Sequence, residues 1–194
     1  SKAPGFTLCH VGSLANRDVT AFLEGLKIFT EEGSDNRKDV RIRFIGNRHD
    51  SLMETAERLG LNGWVSAEAP RNYEETQEIM TESSACLLIE ADGENVFFPS
   101  KFVDYVQTGR PVLALTPKGS TVSEVLATSG GGLAVAAGSP IQIARALQRF
   151  YAAWKDGLLD RQFDSHSLIS LYDEKKVLSD YISIISKLQR IQAA

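Results

Sequence analysis

Lys101 follows Pro99-Ser100 directly, at the head of a short segment that closes on Gly109. The Ser100 hydroxyl suits the cap of a helix N-terminus, and Gly109 tolerates the left-handed conformation that ends one. Between them, Phe102, Val103 and Val106 are spaced to pack on a sheet. Lys101, Asp104, Tyr105 and Thr108 fall on a separate polar stripe. A cation at a helix N-terminus is mildly unfavourable, by roughly 0.3–1 kcal/mol. It makes sense there when an anion is bound, because free amides, the positive helix end and an ammonium then converge on one phosphate. A solvated surface lysine is the plainer reading of the same position.

Other residues could serve the same ligand. Asp104 is placed to accept bonds from a ribose diol, or to pair with Lys101 in water at little gain. Gly12-Ser13, after the first apolar run, permits close backbone approach. Arg17, expected at the start of the next helix, could reach a pyrophosphate from the side opposite Lys101. Asp92 and Glu94 are the paired carboxylates placed for general acid–base work, with a solvated acidic loop as the commoner explanation. His10 reads as a structural residue of a buried strand, and His49 and His166 form no triad with a nucleophile. Lys118-Gly119-Ser120-Thr121 lacks the upstream glycine of a phosphate loop, which excludes ATPase chemistry, and Gly12-Ser13 is not a dinucleotide fingerprint. Cys9 and Cys86 sit in apolar runs and read as buried free thiols, and no Cys/His cluster suggests a metal.

Positioning these groups takes an alternating series of strands and helices. Strands are expected at Phe6–Val11, Val40–Gly46, Trp64–Ala67, Ala85–Ile89, Val112–Leu115 and Gly132–Ala136. Helices are expected from about Arg17 to Glu32, around Leu52–Leu59, from a capping box at Asn72/Glu75, after Ser100, from Thr121/Glu124 and from Pro140. The pattern predicts an α/β fold, a doubly wound, Rossmann-like parallel sheet of about six strands with helices on both faces. Its natural strand order is 3-2-1-4-5-6, which puts the ligand crevice beyond the carboxyl ends of strands one and four. Those ends are Gly12–Arg17 and Glu90–Lys101. Residues 1–160 are expected to form this domain. Residues 161–194 are expected to form a connection and a terminal amphipathic helix, packed on the domain or on an amino-terminal one outside the sequence. The helix stripe of Val177, Leu178, Tyr181, Ile182, Ile185 and Leu188 suits a partner domain or a second copy, as in a homodimer.

The 194 residues are 43% hydrophobic and 24% charged, the mixture of a water-soluble globular domain. A net charge of −4 argues against a general nucleic-acid surface. No apolar run approaches the roughly 20 residues needed to cross a bilayer, and no signal-peptide pattern opens the chain, so a cytoplasmic location is expected.

The stretch Pro99-Ser100-Lys101-Phe102-Val103-Asp104-Tyr105, with Gly109, Pro111 and Val112, resembles the donor-site motif of family 4 glycosyltransferases. The likeness runs from the Val11-Gly12-Ser13 loop to about Trp154. It implies the carboxy-terminal, nucleotide-sugar-binding domain of a two-domain enzyme of the GT-B fold, without its acceptor-binding domain. By this resemblance, Lys101 contacts the donor pyrophosphate, Asp104 binds the ribose, Gly12 and Ser13 lie under the phosphates, and Arg17 assists. Phe98 and Ser100 belong to the same nucleotide-sugar-binding set, and backbone around Val65–Ala67 borders the base. Asp104 is shorter than the family's usual glutamate. The family's second glutamate falls at Val96, so the pair is incomplete.

The expected function is the donor-binding half of a retaining glycosyltransferase, holding a nucleotide diphosphate sugar. Lys101 and Arg17 would stabilise the leaving diphosphate, without metal or other cofactor. Alone, the domain would not transfer sugar, because nothing in it positions an acceptor. The alternative is a non-catalytic interaction or nucleotide-binding module of the same fold.

Overall fold

A computed structural model describes residues 5–33, 37–47, 50–91, 99–173, 175–176, 178–179 and 181–185. The strands are β1 (Phe6–Val11), β2 (Val40–Ile45), β3 (Val65–Glu68), β4 (Ala85–Ile89), β5 (Val112–Thr116) and β6 (Gly132–Ala136). The helices are α1 (Thr20–Glu31), α2 (Asp50–Arg58), α3 (Tyr73–Glu82), α4 (Ser100–Gln107), α5 (Thr121–Ser129), α6 (Pro140–Lys155), α7 (Leu159–Gln162) and α8 (His166–Leu171). All strands pair in parallel, in the order β3-β2-β1-β4-β5-β6. That is the order expected of the sequence pattern, and it places the reversal of winding between β1 and β4.

Side-chain alternation along the strands divides the core into two layers. Phe6, Leu8, Ile42, Phe44, Leu87 and Leu113 face one way and pack with α1, α2 and α6. Cys9, Val11, Ile45, Cys86, Leu88 and Ala114 face the other way, against α3, α4, α5 and α8. Because both faces are covered, the strands read as near-continuous apolar runs.

Local signals decide where the helices begin. Asn72 accepts a bond from the Glu75 amide at 2.9 Å and starts α3. Ser139 caps α6, with Pro140 in its first turn. Three expected starts differ. The cap of α5 is Ser120 rather than Thr121, since the Ser120 hydroxyl accepts from the amides of Val122 and Ser123. Helix α1 begins at Thr20, not Arg17. Its approach is a turn in which the Arg17 amide bonds the Leu14 carbonyl and Asn16 is left-handed at φ 57°. Pro99, not Ser100, holds the cap position of α4, and Ser100 is already helical. Gly109 does follow α4 in the left-handed region, at φ 70°.

The stretch read as a connection contains α7 and α8. They bury Leu159, Phe163 and Leu168, with Phe163 stacked on Phe150 of α6 at 4.4 Å. Beyond them, Leu178, Tyr181, Ile182 and Ile185 lie on helical backbone and are more than half exposed.

Candidate functional site

The crevice lies where β1 and β4 end. The two strands share only two register pairs, Leu8 with Ala85 and Cys9 with Cys86, whereas β1 and β2 share six. Past Cys9, side chains replace the ladder. The Val11 amide donates to the Tyr105 hydroxyl at 2.8 Å, so a side chain of α4 closes the seam. Arg17 crosses the same seam higher up, its Nε donating to the Ile89 carbonyl at 2.8 Å.

The loop after β1 is held tightly. The Gly12 amide bonds the Ile45 carbonyl at 2.8 Å, and Gly12 has φ 127°. Gly46, at φ 151°, passes so close that a Cβ on it would sit 2.0 Å from the Gly12 carbonyl oxygen. Only glycine is accommodated at that crossing. Ser13 is exposed, and its hydroxyl accepts from the Ala15 amide at 3.1 Å. Beside this loop is an open cleft of about 140 Å³, lined by Gly12, Ser13, Gly46, Asn47, Pro70 and Arg71 among others. A larger hollow of about 350 Å³, around Arg110, Asp160 and His166, lies at the opposite end of β5 and has no part in the crevice.

Helix α4 is tied to the end of β1 by the Tyr105–Val11 bond. Among the described residues no side chain caps its N-terminus, and the Phe102 amide bonds the Pro99 carbonyl at 2.9 Å, which leaves Ser100 and Lys101 as the first-turn donors without a cap. Lys101 and Asp104 lie one turn apart, Nζ to Oδ2 at 3.2 Å, each about one-third exposed. A pair this open adds little stability and can be exchanged for a ligand.

Glu90, the residue after β4, is buried, and its carboxylate accepts from the Ser120 hydroxyl at 2.5 Å. Burial raises its pKa, and the Ser120 bond opposes the rise. Ser120 therefore joins β4 to the N-terminus of α5 beneath the crevice.

The structure thus brings Gly12, Ser13 and Arg17 onto one loop, and Ser100, Lys101 and Asp104 onto the first turns of α4, on the two sides of the seam. Phe98, Asp92, Glu94, Val96 and His49 lie outside the described residues. Arg17 is displaced from its expected setting, because Nη1 also donates to the carbonyls of Ser13 and Ala15, at 3.1 and 3.2 Å. It shapes the loop with those donors. Tyr105 is corrected outright. It is fully buried, not on the polar stripe, and burial holds its phenol protonated. Its spacing with Phe102 and Val106 was the available signal. The Glu90–Ser120 pair was not foreseen either: Glu90 was read only as the start of the β4 crevice loop, and Ser120 only within the Lys118–Thr121 stretch set aside as a phosphate loop.

A doubly wound sheet with a glycine turn after β1 and, beyond β4, a helix whose N-terminus no described side chain caps is the architecture of nucleotide-binding α/β domains. Residues 5–153 match the sequence profile of the group 1 glycosyltransferases, and the chain belongs to that family. Solved structures agree on the fold. WaaG, a glycosyltransferase involved in lipopolysaccharide biosynthesis, superposes with TM-score 0.68 at 18% identity, covering 89% of this chain and 44% of its own. Anabaena Alr3699/HepE, solved with UDP and glucose, gives 0.71 at 16% identity over 96% of this chain and 49% of its own. A glycosyltransferase from Rickettsia africae ESF-5 gives 0.74 at 13% identity over 96% and 48%. The chain thus spans about half the length of these proteins. No curated protein matches it by sequence. Among the described residues no helix is long and apolar enough to cross a membrane.

Proposed function

We propose that this chain is the carboxy-terminal, donor-binding half of a retaining, family 4 glycosyltransferase of the GT-B type, acting in the cytoplasm on a nucleotide diphosphate sugar. The observation that supports the reading is the Tyr105–Val11 bond, which ties α4, the helix that bears Lys101, to the end of β1 from which the Gly12–Arg17 loop departs. Anabaena Alr3699/HepE, of the same fold, was solved with UDP and glucose, which supports a uridine nucleotide as the first ligand to try.

In this reading the Ser100 and Lys101 amides of α4 and the Lys101 ammonium take the diphosphate. Asp104, released from Lys101, accepts from the ribose hydroxyls, and the base enters the cleft beside Gly46 and Arg71. Gly12 and Ser13 lie under the phosphates, with Phe98 and Ser100 completing the pocket. As the bond to the sugar breaks, negative charge grows on the diphosphate, and fixed positive groups lower that barrier without metal or other cofactor. Acceptor binding falls to an amino-terminal domain, so this chain alone binds donor and transfers nothing.

Thermal denaturation with UDP, GDP and their sugar conjugates tests the reading. A ligand at a hundred times its Kd stabilises a fold by about 2.7 kcal/mol, a rise in Tm of several degrees. Lys101→Ala should abolish most of that rise. No shift with any diphosphate nucleotide at millimolar concentration would sink the proposal. Val96, at the position of the family's second glutamate, favours a second reading, a non-catalytic module of the same fold. Nucleotide binding without transfer, even in the full-length protein, would select it.

A further inference from the structure

The seam contains a second reactive pair that the nucleotide reading does not use. Cys9 of β1 and Cys86 of β4 are direct register partners, and their sulfurs are 4.0 Å apart. Both are free and fully buried, on the sheet face under α4. We propose that Cys9 and Cys86 form an oxidisable dithiol, a modification site at which peroxide closes a disulfide between the two central strands.

The geometry needs little adjustment. Neighbouring strands run about 4.8 Å apart. A disulfide accepts Cα separations of about 4.4–6.8 Å. Side-chain rotation can therefore bring the sulfurs together without moving the strands.

Access is the second requirement, since a lone buried thiol is inert. Here the ladder ends at this pair, and the next amide, that of Val11, turns away from β4 to the Tyr105 hydroxyl. Beyond the pair the cover on this face is side chains, Tyr105, Phe102 and Val106 of α4 among them. Local opening of α4 exposes the sulfurs to a molecule as small as peroxide.

The two thiols are in contact, so when one ionises the other donates to it and lowers its pKa, while burial opposes the charge on either. Either sulfur can attack first, and Cys9 serves for both. Its thiolate takes one oxygen from hydrogen peroxide, giving a sulfenic acid and hydroxide, which its displaced proton converts to water. The Cys86 sulfur then attacks the sulfenyl sulfur, the S–O bond breaks, and the Cys86 proton leaves with that oxygen as a second water. Two thiols and one peroxide become one disulfide and two waters. The two electrons lost by sulfur reduce the peroxide.

The proposal stands apart from nucleotide binding. The test is to treat the native chain with hydrogen peroxide, quench with catalase, then unfold and alkylate with iodoacetamide. The expected product takes up no alkyl group and yields one cross-linked peptide pair joining Cys9 to Cys86. Dithiothreitol should restore both alkylation sites. In Cys86→Ala, dimedone should trap a sulfenic acid on Cys9, formed more slowly than the disulfide of the native pair because the thiol that lowers the Cys9 pKa is gone. Full alkylation of both cysteines after peroxide, or sulfinic acid without a cross-link, would overturn the proposal. So would a cross-link that forms only when peroxide is added in urea.

Discussion

The Tyr105 hydroxyl both accepts from the Val11 amide, at 2.8 Å, and donates to the Val11 carbonyl, at 3.3 Å. One side chain on α4 thus satisfies the last residue of β1 where β4 has moved out of reach. This ties the helix that bears Lys101 and Asp104 to the opposite wall of the crevice.

Tyr105→Phe keeps the ring and removes that link. The Val11 amide is then buried without a partner, at a cost of about 1–3 kcal/mol. Urea denaturation should show a lower midpoint with an unchanged slope. Any nucleotide-induced rise in Tm should shrink in the same variant, because α4 loses its register against the Gly12 loop. A normal midpoint would show that the hydroxyl is dispensable to the seam.

Gly46→Ala drives a methyl group into the Gly12 carbonyl from a backbone of φ 151°. Neither strand end can yield without breaking the Gly12–Ile45 bond. The expected loss is about 3 kcal/mol or more, read from the urea midpoint. Gly60→Ala is the control, since a Cβ there meets nothing within 4 Å although its φ is also positive, at 74°. It should cost about 1 kcal/mol.

Ser120→Ala removes the cap of α5 and the partner of the Glu90 carboxylate together. The combined cost near neutral pH is about 2–3 kcal/mol. Its pH dependence follows from Glu90, whose folded pKa already exceeds its unfolded value because of burial. Such a group holds its proton more tightly when folded, so it withdraws stability as pH rises. Without the Ser120 bond its pKa climbs further. The penalty of the variant should therefore be smaller near pH 4 than near pH 7, a difference that chemical denaturation at the two values measures.

Arg43 and Glu68 give the opposite sign. Two donors of Arg43 reach the two Glu68 oxygens at 2.7 and 2.9 Å. These bonds hold the Glu68 pKa below its ordinary value. The stabilisation is present above the unfolded value of about 4.3 and is lost as pH falls through the lower folded value. Glu68→Gln should cost about 1 kcal/mol near neutrality and progressively less in acid. Equal losses at both pH values would exclude a charge effect.

The sheet was legible because its signals are local and repeated. Six apolar runs, punctuated by turns, allow few windings, and the starts at Asn72 and Pro140 are written in single local residues. The Lys101–Asp104 stripe and the Gly109 stop were equally readable from spacing. Arg17 and Tyr105 were not, for a shared reason. Each has a polar end that suggests water, yet each finds its partner across the seam, Arg17 at Ile89 and Tyr105 at Val11. Such partners exist only once β1 and β4 lie side by side. Ser100 misled in another way, since the proline before it already fixes the backbone geometry of the cap.

The brevity of the β1–β4 pairing has a mechanical meaning. The sheet is two three-stranded plates riveted near one end of their common border, with His10, Arg17 and Tyr105 as lacing along the remainder. Torsion between the plates is therefore governed by side chains, which substitution can retune without cutting a strand. A molecule gripping both plates would act as a splint, stiffening the sheet across its full width.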